Sequence, residues 1–251
     1  KKCGALNSGV FDARQTSSGQ FTQLNFNNLD VLQFYTSMSG VDYSWESVPL
    51  YRDPSSWYHI VAVLNTPSST QQDRFIIYIN GVRQSNGNQY GALDLNVTTW
   101  INSANPHSIG RTSDAGHYFD GYMGEVNFID GQALTPDSFG ETGDYGEWKP
   151  IKYAGTYGTN GFYLKFENAS SLGNDSAGSN NWTPSNLAAT DQMLDSPTNN
   201  FATLNPLDEG GTNTVAEGNL QYDKTGANFG PMRGTLGVTT GKWYFEAMRS
   251  S

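Results

Sequence analysis

The sequence predicts an all-β fold, an antiparallel sandwich of short strands joined by polar loops, and three observations carry that expectation. Charged residues make up only 15% of the chain and hydrophobic residues 36%, yet aromatics reach 13%. A helical domain would draw on Ala, Leu, Glu and Lys, and a disordered chain would lack aromatic and β-branched residues. Several segments alternate apolar and polar residues with the period of two that a half-buried strand requires. Turn formers punctuate these segments, with 28 glycines and 10 prolines among abundant Asn, Ser and Thr.

The strands follow in order. Phe21-Thr22-Gln23-Leu24-Asn25-Phe26 alternates cleanly, and Val31 to Tyr35 follows after a turn at Asn27-Asn28. The turn Asp53-Pro54-Ser55-Ser56 begins a strong strand from Trp57 to Leu64, with His59 packed inside it. Arg74 to Ile79 ends at Asn80-Gly81, the strongest short hairpin signal, and returns through Val82-Arg83-Gln84. His107 to Arg111 is a short strand. Tyr118 to Ile129 is a long one, interrupted at Gly121 and Gly124. Leu134 to Phe139 is expected as one helical turn capped by Thr135, with Pro136 at its first position. Gly161 to Phe166 and Gly241 to Ala247 complete the strands. Residues 168–200 are expected as a long wrapping loop anchored by Trp182, Met193 and Phe201.

Charge and length narrow the function. The formal net charge is −10, with −7 in residues 1–150 and −3 in residues 151–251, so neither half offers a basic face for nucleic acid. No run approaches the roughly 18 apolar residues of a membrane-spanning helix, and no membrane insertion is expected. The chain opens Lys1-Lys2-Cys3, with no initiator Met and no signal-peptide pattern, and is read as a fragment of a longer polypeptide. Cys3 is the single cysteine, which rules out an internal disulfide and favours synthesis in a reducing cytosol.

Five segments then fall in a recognisable order: Trp57-Tyr58-His59-Ile60-Val61, Tyr78-Ile79-Asn80-Gly81, His107-Ser108-Ile109-Gly110-Arg111, Phe119 to Phe128, and Ala133-Leu134-Thr135. The set resembles the concanavalin A-like, laminin-G-type jelly roll over about residues 15–140. Gly124 stands where that family often carries Asp before its Glu-Val pair. Tyr153 to Leu164, with Asp195 to Asn205, resembles a segment that follows such jelly rolls in tail and virion proteins of tailed bacteriophages. Gly241-Lys242-Trp243-Tyr244-Phe245-Glu246 resembles the start of a SPRY-like sandwich. The expected organisation is a jelly roll at 1–140 lacking its opening strands, a Gly/Asn-rich connector at 141–205 with a strand near 161–166, and the beginning of a second sandwich at 206–251.

The resemblance implies a non-enzymatic virion protein, foremost a tail fibre or host-recognition component that binds a bacterial surface polysaccharide. It would form a homo-oligomer, with a trimer favoured, and sit on the tail or particle surface beside other virion proteins. Two alternatives stand beside it: a purely structural tail, collar or head-decoration component, and a secreted bacterial carbohydrate-binding module.

No enzyme pattern survives. A jelly-roll glucanase sets two carboxylates two residues apart on one strand face. Glu125 is followed two positions later by Asn127, and Asp130 falls at an odd offset. His59, His107 and His117 lack the spacing of metal ligands. Calcium is the one candidate cofactor, with Asp114, Asp120 and Asp130 as rim ligands. Sugar binding needs aromatic faces beside hydrogen-bonding side chains. The candidates are Trp45, Tyr51, Tyr90, Trp100 and Tyr118.

Overall fold

A computed structural model describes residues 1–4, 7–16, 19–39, 41–112, 116–210, 213–224 and 230–248. The chain divides into two compact units, residues 1–201 and residues 202–251. In the first unit, β1 (Ser8–Arg14), β2 (Phe21–Phe26), β3 (Val31–Met38) and β4 (Val41–Leu50) pair in sequence, each antiparallel to the next. β5 (Ile60–Leu64), β6 (Phe75–Ile79) and β7 (Val82–Arg83) form a separate three-stranded sheet. β8 (Asn88–Tyr90) and β9 (His107–Ile109) then close the two edges of the first sheet, giving six strands in the order β8-β4-β3-β2-β1-β9.

The period-two pattern decides which side of each strand is sealed. Leu24 and Phe26 on β2, Leu32, Phe34 and Met38 on β3, and Tyr43 and Trp45 on β4 are all buried. They meet Phe75, Ile77 and Ile79 of β6 in one continuous core. Phe34 stacks on Phe75 with ring centroids 3.9 Å apart, and Tyr43 and Trp45 approach the same ring from the side at 6.2 and 6.3 Å. Each such side chain contributes about 1.5–3 kcal/mol by leaving water, so this aromatic cluster is what holds the two sheets face to face. The expected hairpin forms at Asn80-Gly81, where φ is +48° and +79°. Both residues therefore occupy the left-handed region that this two-residue turn requires.

Other elements depart from expectation. The long strand foreseen from Tyr118 to Ile129 shrinks to β10 (Val126–Phe128), with isolated bridges at Tyr118 and Gly121. Gly121 sits at φ +153° and Glu125 at +56°, and both turn the backbone out of a ladder. The helical turn is a single 3-10 turn at Pro136–Ser138; Thr135 occupies the cap position but its side chain bonds no backbone N–H there. β11 (Gly140–Thr142) pairs with β12 (Trp148–Pro150), and β10 pairs with β13 (Phe162–Leu164), the strand expected near 161–166.

Residues 141–201, expected to belong to a connector, lie within the first unit. Specific contacts pull them in. The buried Asp175 carboxylate accepts from the backbone N–H groups of Tyr163 (2.8 Å), Ala177 (2.9 Å) and Asn180 (3.0 Å). Burial alone would raise its pKa, but these donors outweigh it and hold the carboxyl below its usual 3.8. Trp182 packs edge-on against Phe162 at 5.0 Å. Asp195 accepts from the Trp57 indole (2.7 Å) and pairs with the sealed Lys1 ammonium (2.6 Å), while Asn200 donates to the Ser55 carbonyl (2.7 Å).

In the second unit, β14 (Leu204–Glu209) pairs with β17 (Met232–Gly234), and β15 (Asn213–Ala216) with β16 (Gln221–Lys224). Residues 241–247, expected as a strand, pair with no strand among the described residues.

Candidate functional site: the open face of the six-stranded sheet

A strand that seals one set of alternate side chains must present the other set on its opposite face. Registered pairs extend this across the whole sheet. Asp12 stands opposite Gln23, Gln23 opposite Tyr35, Tyr35 opposite Ser44, and Ser44 opposite Tyr90, with Ser108 opposite Asp12 at the far edge. One lateral row therefore crosses all six strands as Ser108-Asp12-Gln23-Tyr35-Ser44-Tyr90, with Asp12 sealed and the open stretch running from Gln23 to Tyr90. A neighbouring row runs Asn25-Gln33-Glu46-Asn88.

The side chains of these rows are linked to one another. Gln23 donates to Asn25 (3.3 Å), Asn25 donates to Gln33 (3.4 Å), and Gln33 donates to the Glu46 carboxylate (2.7 Å). Phe21 lies beside them, with the Arg14 guanidinium 4.5 Å from its ring centroid and the Tyr35 ring edge-on at 5.0 Å. The result is a fixed surface of aromatic faces and oriented amides.

Two adjoining clefts open on this face and share Gln33. One, of about 260 Å³, is bounded by Gln33, Tyr35, Asp42, Ser44, Tyr90 and Gly91. The other, of about 160 Å³, is bounded on its polar side by Gln23, Asn25, Asn27, Thr112 and His117. Both fall below the ~300–1,000 Å³ of pockets that engulf a small molecule, so the shape suits a ligand laid along the surface. Gly91 lets the first cleft form. Its φ is +74°, and a Cβ there would stand 2.2 Å from the Asp42 carbonyl oxygen. Only glycine brings the end of β8, and Tyr90 with it, so close to β4.

The five aromatic candidates divide between the two faces. Trp45 is 3% exposed on the inner face, and Tyr51 is buried beneath Phe26 and Tyr58, which pushes its phenol pKa up to about 12. Trp100 packs against the core, its backbone N–H donating to Thr22 (3.2 Å) and its indole to the Ser37 carbonyl (3.0 Å). Tyr90, 61% exposed, stands on the open face, and Tyr118 is also exposed. Gln23, Asn25, Gln33, Tyr35, Asp42, Ser44 and Glu46 are the face residues that aromatic-led reasoning passed over. Their signal was the polar half of the alternation in β2, β3 and β4.

Asp114 lies outside the described residues. Asp120 sits against Gly4, where burial raises its pKa despite the nearby Lys2 charge. Asp130 is held by the Asn102 side chain (2.7 Å) and the Asn160 backbone N–H (3.1 Å). Among the described residues no three His, Cys, Asp or Glu side chains converge as metal ligands. The histidines are likewise separate. His59 accepts from the Trp148 indole (2.9 Å), and burial lowers its pKa. His107 bonds the Asn105 carbonyl (2.7 Å), and His117 bonds Thr112 (3.2 Å). Glu125 accepts from the Tyr163 hydroxyl, and Asn127 turns its amide back to the Glu125 carbonyl (2.9 Å).

An all-β, antiparallel sandwich with one polar, aromatic face left open defines a lectin-like jelly roll. The family model described as the concanavalin A-like lectin/glucanases superfamily matches residues 4–138, more than half of the chain. The chain belongs to that superfamily. No curated protein and no solved structure matches it.

Proposed function

We propose that the chain is a non-enzymatic glycan-binding module that uses the open face of its six-stranded sheet. The observation that carries this reading is the pair of lateral rows. Tyr35 and Tyr90 offer ring faces to sugar C–H surfaces, while Gln23, Gln33, Asp42 and Glu46 offer hydrogen bonds to hydroxyls. The superfamily's name, covering lectins and glucanases, agrees with a carbohydrate ligand.

Two features support the non-enzymatic part. Asp42 and Glu46 lie four residues apart on one strand, about 13 Å along it. Glycosidase carboxylates work about 5–10 Å apart. Glu125 meanwhile is occupied by Tyr163, with Asn127 where a partner carboxylate would stand. The proposed setting is a bacteriophage tail fibre or particle surface, with a bacterial polysaccharide as ligand and a trimer as the assembly. The support for it is the resemblance of residues 153–164 and 195–205 to virion-protein segments. Weak single sites would gain strength from several copies on one particle.

A second reading, assembly with other virion proteins and no host contact, draws support from the second unit. There Trp243, Tyr244, Phe245 and Met248 are 68–96% exposed, as residues awaiting a protein partner would be.

Titration against bacterial surface polysaccharides tests the first reading. The intact chain is expected to bind at least one of them, and Tyr90→Ala and Tyr35→Ala are each expected to weaken that binding tenfold or more. Binding that survives both substitutions, or no binding to any polysaccharide, overturns it.

A further inference from the structure

At its β4 end the open face carries two carboxylates, Asp42 and Glu46, beside the hydroxyls of Ser44 and Tyr90. The relay from Gln23 through Asn25 and Gln33 points each amide N–H toward Glu46, so it terminates on a carboxylate. Asp42, exposed on the same strand, adds a second carboxylate at the rim of the larger cleft. Among the described residues no Lys or Arg side chain lines either cleft, and the Arg14 guanidinium lies over Phe21 beside the smaller one. The two clefts are joined at Gln33, and the path from Tyr90 on β8 to Asn25 on β2 crosses three strand spacings, about 14 Å. That is longer than one sugar ring.

Resting on the glycan reading above, we propose that this face sorts oligosaccharides by charge, accepting neutral chains that span both clefts and rejecting those with carboxylate-bearing rings. The chemistry follows from what each partner offers. A neutral ring brings hydroxyl donors to Asp42, Glu46 and the amide carbonyls. A uronate ring replaces one primary hydroxyl with an anion that donates nothing and lies beside like charge. In the larger cleft, where Asp42 stands and no described Lys or Arg lines the wall, the repulsion is not offset, and a partly screened contact of this kind costs about tenfold in affinity or more.

Matched pairs test the inference: β-linked gluco-, manno- and galacto-oligosaccharide pentamers, each beside its C6-oxidised uronate counterpart, titrated into the intact chain by calorimetry. Every pair that binds is expected to favour its neutral member at least tenfold at low salt. That ratio is expected to shrink as salt screens the face, and to approach one in the doubly substituted Asp42→Asn, Glu46→Gln chain. Circular dichroism confirms that this variant keeps its fold. A uronate that binds as tightly as its neutral partner, or a preference unchanged in the double variant, overturns the charge selection and leaves the glycan reading standing. Failure of every pentamer to bind in a chain that binds a bacterial surface polysaccharide overturns the charge selection alone, and failure of both ligand sets overturns the glycan reading as well.

Discussion

On β3, Leu32, Phe34, Thr36 and Met38 are sealed inside the sandwich, while Val31, Gln33, Tyr35 and Ser37 keep contact with solvent. The two sets share one backbone, one twist and one hydrogen-bond ladder. The inner set fills space against the second sheet, and its value depends on packing. The outer set is positioned at no further cost, because the packed side already fixes the strand. Stability and recognition are thereby assigned to alternate residues of the same segments, and substitutions can separate them.

The largest effect is expected on the inner side. Phe34→Ala removes the ring stacked on Phe75 and is expected to cost about 3–5 kcal/mol in urea denaturation followed by tryptophan fluorescence. A much smaller loss would mean that the two sheets are held together by something other than this cluster. An intermediate effect is expected where the inner face carries polar groups. The buried Thr22 hydroxyl pairs with that of Thr36 (2.7 Å) and accepts from the Trp100 backbone N–H. Thr22→Val keeps the shape but orphans those groups, and the same denaturation assay is expected to show a loss of about 1–3 kcal/mol. The smallest effect belongs to the open side. Gln33→Ala is expected to change stability by no more than about 0.5 kcal/mol, while lowering glycan affinity because it breaks the relay to Glu46. Equal stability costs for Gln33→Ala and Phe34→Ala would dissolve the distinction between the faces.

Much of this arrangement was readable in the sequence where local chemistry alone decides it. Phe21–Phe26 alternates because β2 has one dry face, and Asn80-Gly81 turns because both residues tolerate positive φ. The ordered motifs from Trp57 to Thr135 identified the superfamily. The candidate site was less legible. Trp45 stands between Ser44 and Glu46, and a large aromatic among polar residues invites a sugar-stacking role. The pairing of β4 with β3 turns it inward instead and leaves its polar neighbours on the open face. Trp100 was hidden for a similar reason, since its anchors Thr22 and Ser37 lie more than 60 residues away. The segment from Gly241 to Ala247 has the composition of a strand, but a strand exists only with a partner.

The pairing of Lys1 with Asp195 also has a mechanical consequence. The ammonium bonds Asp195, Asn200 and the Phe201 carbonyl at 2.6, 3.0 and 3.2 Å, while Trp57 grips the other oxygen of Asp195. Two points 194 residues apart along the chain are therefore fastened together. Tension applied between them loads this small polar clasp. Lys1 also exchanges backbone hydrogen bonds with Tyr122, so the clasp and that short bridge share the pull ahead of the sheet that carries the two clefts.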